Sequence, residues 1–132
     1  MNKSAFTYDS FVPGVLIGHT TDIIEQKLID DWIRLYPWET IVPGEVPSAI
    51  STVIMMKAYL RIVSPRPPGN IHAKQYAELT SSPSIGETVL TGLKCLSKEV
   101  RRERRFVNLE ARSTGDGGRA LFVGCMSLIW AA

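Results

Sequence analysis

His72 is the side chain whose type and setting best suit chemistry. It opens a strand-like stretch directly after the Pro67-Pro68-Gly69 bend, where an imidazole can move protons or donate to a carbonyl oxygen. Glu39 and Glu45 flank the Pro43-Gly44 turn, and partial desolvation in such a loop suits a carboxylate to acid or base work. Asn70, beside Gly69, offers an amide donor for a ligand oxygen. The run Arg101, Arg102, Glu103, Arg104, Arg105 carries guanidinium forks that match phosphate geometry, and Arg66 and Lys74 add further positive charge. His19 follows Gly18 near the end of a strand-like segment. Each has a plain structural alternative: a loop hydrogen bond for the histidines and Asn70, solvation for the glutamates and arginines.

These residues need elements to hold them. Residues 12–20 are short and apolar after Pro13-Gly14 and read as an edge or lead-in strand. From about Asp22 to Tyr36, Ile24, Leu28, Trp32 and Leu35 recur at helical spacing, with Glu25, Lys27, Asp30, Asp31 and Arg34 toward water; Pro37 ends that helix. Residues 38–46 are irregular. Pro47 then fits the first position of a second helix, which is apolar nearly all round and therefore belongs inside the protein. Its N-terminus, near Ser48 and Ala49, favours developing negative charge, while Met55, Met56 and Tyr59 read as core or tunnel lining. Trp32, Trp38 and Trp130 read as packing residues.

The remainder reads as sheet: strands over residues 71–80, 87–100, 104–114 and 119–131, in an antiparallel meander. In the third of these, Val107, Leu109 and Ala111 alternate with Asn108, Glu110 and Arg112. Asp116-Gly117-Gly118 marks a hairpin. The last strand is apolar on both faces, so a partner is expected on the far side or along the edge, and dimerisation supplies one.

Composition sets the outer bounds. At 132 residues, 45% hydrophobic and 21% charged, the chain suits one α+β domain that needs no disulfide or metal for its core. A net charge of +2 argues against a broad nucleic-acid face. Cys95 and Cys125 stand alone in apolar segments, so neither a disulfide framework nor a zinc site is expected. Residues 46–63 are mostly apolar but carry Lys57 and Arg61, which favours a core helix over a membrane span. The N-terminus has no apolar h-region, and a cytoplasmic address is expected.

Three segments taken in order, PPGNIHAKQYAEL, SPSIGETVL and NLEARSTGDGGRALFVGCMSLIWA, resemble the MaoC-like acyl dehydratases of the hot-dog superfamily. The likeness is narrower to the N-terminal halves of double hot-dog enzymes. Gly86-Glu87 stands where that family has Gly-Asp, and Asp116-Gly117-Gly118 where it has Asp-Gly-Glu. The helical lead-in IIEQKLIDDWIRLYP also fits, and the likeness spans roughly residues 15–131. It implies a single hot-dog domain over residues 1–132, a long buried helix wrapped by an antiparallel sheet. The implied ligand is an acyl-thioester on coenzyme A or an acyl carrier, with no separate cofactor.

The family's catalytic Asp-x-Asn-Pro-x-His motif is missing, since YPWETIVPGEVPSAIS holds neither aspartate nor histidine. Three functions follow from the resemblance. The chain is a hydratase or dehydratase relative in which His72 with Glu39 or Glu45 replaces the dyad. Alternatively, it is a non-catalytic subunit that completes the acyl tunnel of another hot-dog chain. The third reading is a thioesterase. In all three, Ser48, Ala49, Met55, Tyr59 and Asn70 would line or polarise the acyl site, and Arg102 and Arg104 would hold coenzyme A phosphates. The assembly implied is a homodimer or a hetero-oligomer.

Overall fold

The structure, a computed structural model, describes residues 4–38 and 45–132. Five antiparallel strands form one sheet: β1 (Leu16–Ile23), β2 (Ile71–Leu79), β3 (Thr88–Arg101), β4 (Arg104–Thr114) and β5 (Ala120–Trp130). Helix α1 (Gln26–Leu35) follows β1, and α2 (Ile50–Ile62) lies against the sheet.

The inward face is written in alternation. Val89, Leu93 and Cys95 on β3, Val107, Leu109 and Ala111 on β4, and Phe122, Met126, Leu128 and Trp130 on β5 are buried. Helix α2 covers them with Ile50, Ile54, Met55, Ala58 and Tyr59. Its approach over β5 is close because Gly124 has no side chain: a Cβ there would collide with the Met55 thioether. Gly124→Ala is therefore expected to cost about 1–3 kcal/mol through overpacking. Met55→Ala in the same chain should return part of that loss, as a double-mutant denaturation cycle would read.

Several expectations are corrected. The first strand is displaced to Leu16–Ile23, because residues 12–15 form a turn in which the Val15 N–H donates to the Val12 carbonyl and Gly14 takes φ 83°. Asp22 stays in β1, paired with Val89, so the first helix begins only at Gln26. Its one fully buried residue is Ile29, whereas Leu35 is exposed. Pro47 lies ahead of α2 in a turn, with the Ile50 N–H donating to its carbonyl. The four late strands are not a simple meander either. The sheet order is β1-β3-β4-β5-β2, so β2 crosses to the far edge and pairs with β5. Finally, α2 is not enclosed all round, since Leu60 remains 46% exposed and Thr52 and Lys57 face outward.

The chain ends close the core. The Tyr8 N–H donates to the Ala132 carbonyl, and the Phe6 N–H to that of Pro65. This seats Phe11 edge-on against Trp130, with ring centroids 4.8 Å apart. On the opposite edge, the Arg61 guanidinium pairs at 2.9 Å with the buried Asp22 carboxylate, fastening α2 to β1. No helix among the described residues is long and apolar enough to cross a membrane.

Candidate functional site

The Pro-Gly bend between α2 and β2 places five of the residues singled out from the sequence together. A cleft of about 270 Å³ is lined by Tyr59 and Met56 of α2, by Arg66 and Asn70 of the bend, and by His72 of β2, with Leu128 of β5 beside them. His72 lies opposite Leu128, just ahead of a bulge at Ala73, and its ring is exposed. It makes no hydrogen bond or ion pair among the described residues, so both ring nitrogens are available to a ligand.

The neighbours of His72 are held firmly. Asn70 Oδ1 accepts from the Ala131 N–H at 2.8 Å, and its amide donates to the Pro67 carbonyl at 3.2 Å. One amide hydrogen is left for a ligand. Arg66 donates to the carbonyls of Leu60 and Val63 at 2.9 and 2.8 Å, capping the end of α2. Its guanidinium also lies 5.6 Å from the Tyr59 ring centroid. Burial pushes the Tyr59 hydroxyl above its ordinary pKa, with Arg66 opposing, so the phenol is a neutral donor at pH 7. The cleft offers donors and apolar walls, but no carboxylate lines it among the described residues.

The other candidates lie elsewhere. Glu39 is outside the described residues. Glu45 is exposed and outside the cleft lining. Ser48 is exposed and Ala49 half-buried at the start of α2; a rise of about 1.5 Å per residue puts Tyr59 roughly 15 Å beyond Ala49 along the helix. The helix N-terminus and the His72 cleft are thus separate places. Met55 is fully buried under Gly124, while Met56 meets the cleft. His19 sits in β1 opposite Gly92 on the far edge. Arg102 and Arg104 line a separate hollow at the β3–β4 turn, and Lys74 lies beside it on β2.

Sequence reasoning noted Glu87 only within the Gly86-Glu87 motif and gave its side chain no role. Its buried carboxylate accepts from the Ser84 N–H (2.8 Å), the Asp116 N–H (2.8 Å) and Arg119 Nη2 (2.5 Å). It ties the loop after β2 to the β4–β5 hairpin. A Cβ on Gly115 would run into this carboxylate, which accounts for the glycine before Asp116. The available signal was Gly86-Glu87 itself, but two of its three partners lie 29 and 32 residues away.

Solved structures share this architecture over most of the chain. A MaoC-like dehydratase from Rhodospirillum rubrum superposes with a TM-score of 0.79 at 10% identity, covering 97% of this chain and 99% of that one. The R-hydratase PhaJ1 of Pseudomonas aeruginosa gives 0.74 at 16% identity, covering 94% and 84%. The HadBC 3R-hydroxyacyl-ACP dehydratase complex of Mycobacterium tuberculosis gives 0.68 at 12% identity, covering 83% and 90%. No family model matches the sequence, and no curated protein matches it. The long helix laid against a five-stranded antiparallel sheet, shared with these proteins, gives this chain the hot-dog fold.

Proposed function

We propose that the protein binds acyl-thioesters of the coenzyme A type, with the thioester end in the His72 cleft. The observation that carries this reading is the cleft itself. A histidine without a partner among the described residues, the spare Asn70 hydrogen and the Tyr59 phenol line the cleft with the apolar Met56 and Leu128. Such a lining suits a polarised carbonyl joined to an apolar chain. The fold is that of the hydratases and dehydratases above, which supports the same ligand class. Were the site a hydratase, water would add across the enoyl double bond, hydroxyl to one carbon and proton to the other, with no redox change. That step needs an acid and a base.

A second reading is favoured by a specific feature. With no carboxylate in the described cleft lining, the chain suits a binding half that completes the acyl tunnel of a catalytic hot-dog partner. Strand β2 is an edge strand, exposed along nearly its whole length, and offers unpaired backbone groups to a second chain. Assembly through that edge, with a copy of itself or with a related chain, belongs to this proposal. The HadBC dehydratase is itself a complex.

The test is acyl-CoA binding and enoyl-CoA turnover by the purified chain, the latter followed as loss of enoyl absorbance. His72→Ala is expected to weaken binding roughly tenfold or more by removing a polar contact. Turnover that falls about 10²- to 10⁴-fold in the same variant would make His72 the acid–base group. Binding without turnover supports the partner-subunit reading. Absence of acyl-CoA binding overturns the proposal.

A further inference from the structure

The β3–β4 turn is built at a conformational cost. Two residues, Arg102 and Glu103, connect the strands, and both hold positive φ, 50° and 65°. Turns of this kind are ordinarily Asn-Gly or Gly-Gly, because a Cβ is strained there. Long charged side chains stand here instead. Arg102 and Arg104 have no protein partner among the described residues, and both are exposed. The Arg101 guanidinium carbon lies over the Phe106 ring, 4.4 Å from its centroid, with a 3.7 Å contact to Glu99. These three arginines and Phe106 line an open hollow of about 660 Å³. Over residues 99–105, at the hairpin tip, the acidic groups are Glu99 and Glu103, against four arginines.

The hollow and the cleft each contribute a residue to one cross-strand row. Phe106 pairs with Ile129, and Ile129 with Ile71, so the three lie side by side across β4, β5 and β2. Ile71 also lines the His72 cleft. Two strand spacings, about 10 Å, therefore lead over an apolar row from one place to the other.

We propose that the β3–β4 hairpin is a nucleotide-phosphate site, in which Arg102 and Arg104 grip phosphate and the Arg101–Phe106 stack takes the purine. Guanidinium forks bind phosphate bidentately, and a stacked guanidinium is a flat platform for a base. Resting on the acyl-thioester reading, the ligand is the adenosine bisphosphate end of coenzyme A, its acyl arm running over Ile129 and Ile71 to the cleft.

Calorimetric titrations of the full chain separate the two readings. Adenosine 3′,5′-bisphosphate is the probe for the hairpin, and an acyl-pantetheine, which lacks the nucleotide, is the probe for the cleft. Arg102→Ala and Arg104→Ala should each weaken the nucleotide roughly tenfold or more, as expected for a lost charge-assisted contact, and leave acyl-pantetheine unchanged. Rising salt should weaken nucleotide binding in the parent. Glu103→Gly relieves the strained position and removes a carboxylate, so it should melt higher and bind the nucleotide at least as well. Failure of the nucleotide alone, with acyl-pantetheine still bound, overturns the hairpin site and spares the acyl reading. Nucleotide binding without acyl-pantetheine binding supports the hairpin site and overturns the acyl reading. Inorganic phosphate binding as tightly as the nucleotide overturns the stacking platform, and unchanged nucleotide affinity in Arg102→Ala/Arg104→Ala overturns the site.

Discussion

Trp130→Ala is expected to destabilise the fold by about 3–5 kcal/mol, read from the shift of a urea unfolding midpoint. Trp130 is the last residue of β5 and only 2% exposed. Its ring meets Phe11 edge-on at 79°, and Phe11 in turn lies 5.6 Å from Phe6. The indole N–H donates to the Phe6 carbonyl at 2.8 Å. Truncation therefore opens a cavity, strips an aromatic contact and removes the donor from a backbone carbonyl in one step. Since a domain of this kind is held by about 5–15 kcal/mol, the loss is a large share of the whole. Trp130→Phe keeps most of the packing and loses only the hydrogen bond, so it should cost about 0.5–1.5 kcal/mol plus a smaller cavity term. A loss below about 1 kcal/mol in Trp130→Ala would mean that the N-terminal segment does not close this end of the core.

The same contact shows where sequence reasoning reaches and where it stops. The inward set of β4, Val107, Leu109 and Ala111, was legible because a period of two is local. The hairpin at Asp116-Gly117-Gly118 was legible because Gly117 and Gly118 adopt positive φ. The docking of Phe6 and Phe11 on Trp130 was not, because more than a hundred residues separate the partners and no periodicity records the pairing. The position of β2 was hidden for a related reason. Alternation identifies a strand but not its neighbour, and the adjacency of β2 to β5 rests on a crossover through residues 80–87.

The candidate site divides the same way. His72, Asn70 and Tyr59 could be singled out because the Pro-Pro-Gly bend must return the chain from α2 to a strand, bringing the helix end against the strand start. Arg66 as the cap of α2 could not be foreseen, since its acceptors depend on how the bend folds back over Leu60 and Val63. Nor could the distance between the N-terminus of α2 and the His72 cleft, which follows from the length of the helix and the end at which the bend lies. Asp22, whose periodic setting suggested a helix start, is instead the buried partner of Arg61. The pull of β3 pairing outweighs the local preference there.

Glu87→Gln is expected to lower stability at neutral pH and to flatten the acid limb of the stability profile. The backbone N–H groups of Ser84 and Asp116, and then Arg119, hold the Glu87 carboxyl below its ordinary value of 4.5, outweighing the opposite effect of burial. The folded state then binds fewer protons than the unfolded chain between the lowered value and 4.5. Its contribution is complete above that window and disappears as the pH falls through the folded value. Glutamine presents one acceptor oxygen and an amide that faces donors, so it cannot serve all three partners. Asp31 is also held low, chiefly by its hydrogen bond to Lys27, and would add acid sensitivity of its own. That pair is exposed on α1, so added salt should suppress its share, whereas Glu87 is bonded through backbone N–H groups at a buried position. Urea unfolding from pH 3 to 7 in high salt should therefore show a steeper loss toward acid in the parent than in Glu87→Gln. Equal acid slopes in the two proteins would mean that the ionised carboxylate is not what ties the loop after β2 to the β4–β5 hairpin.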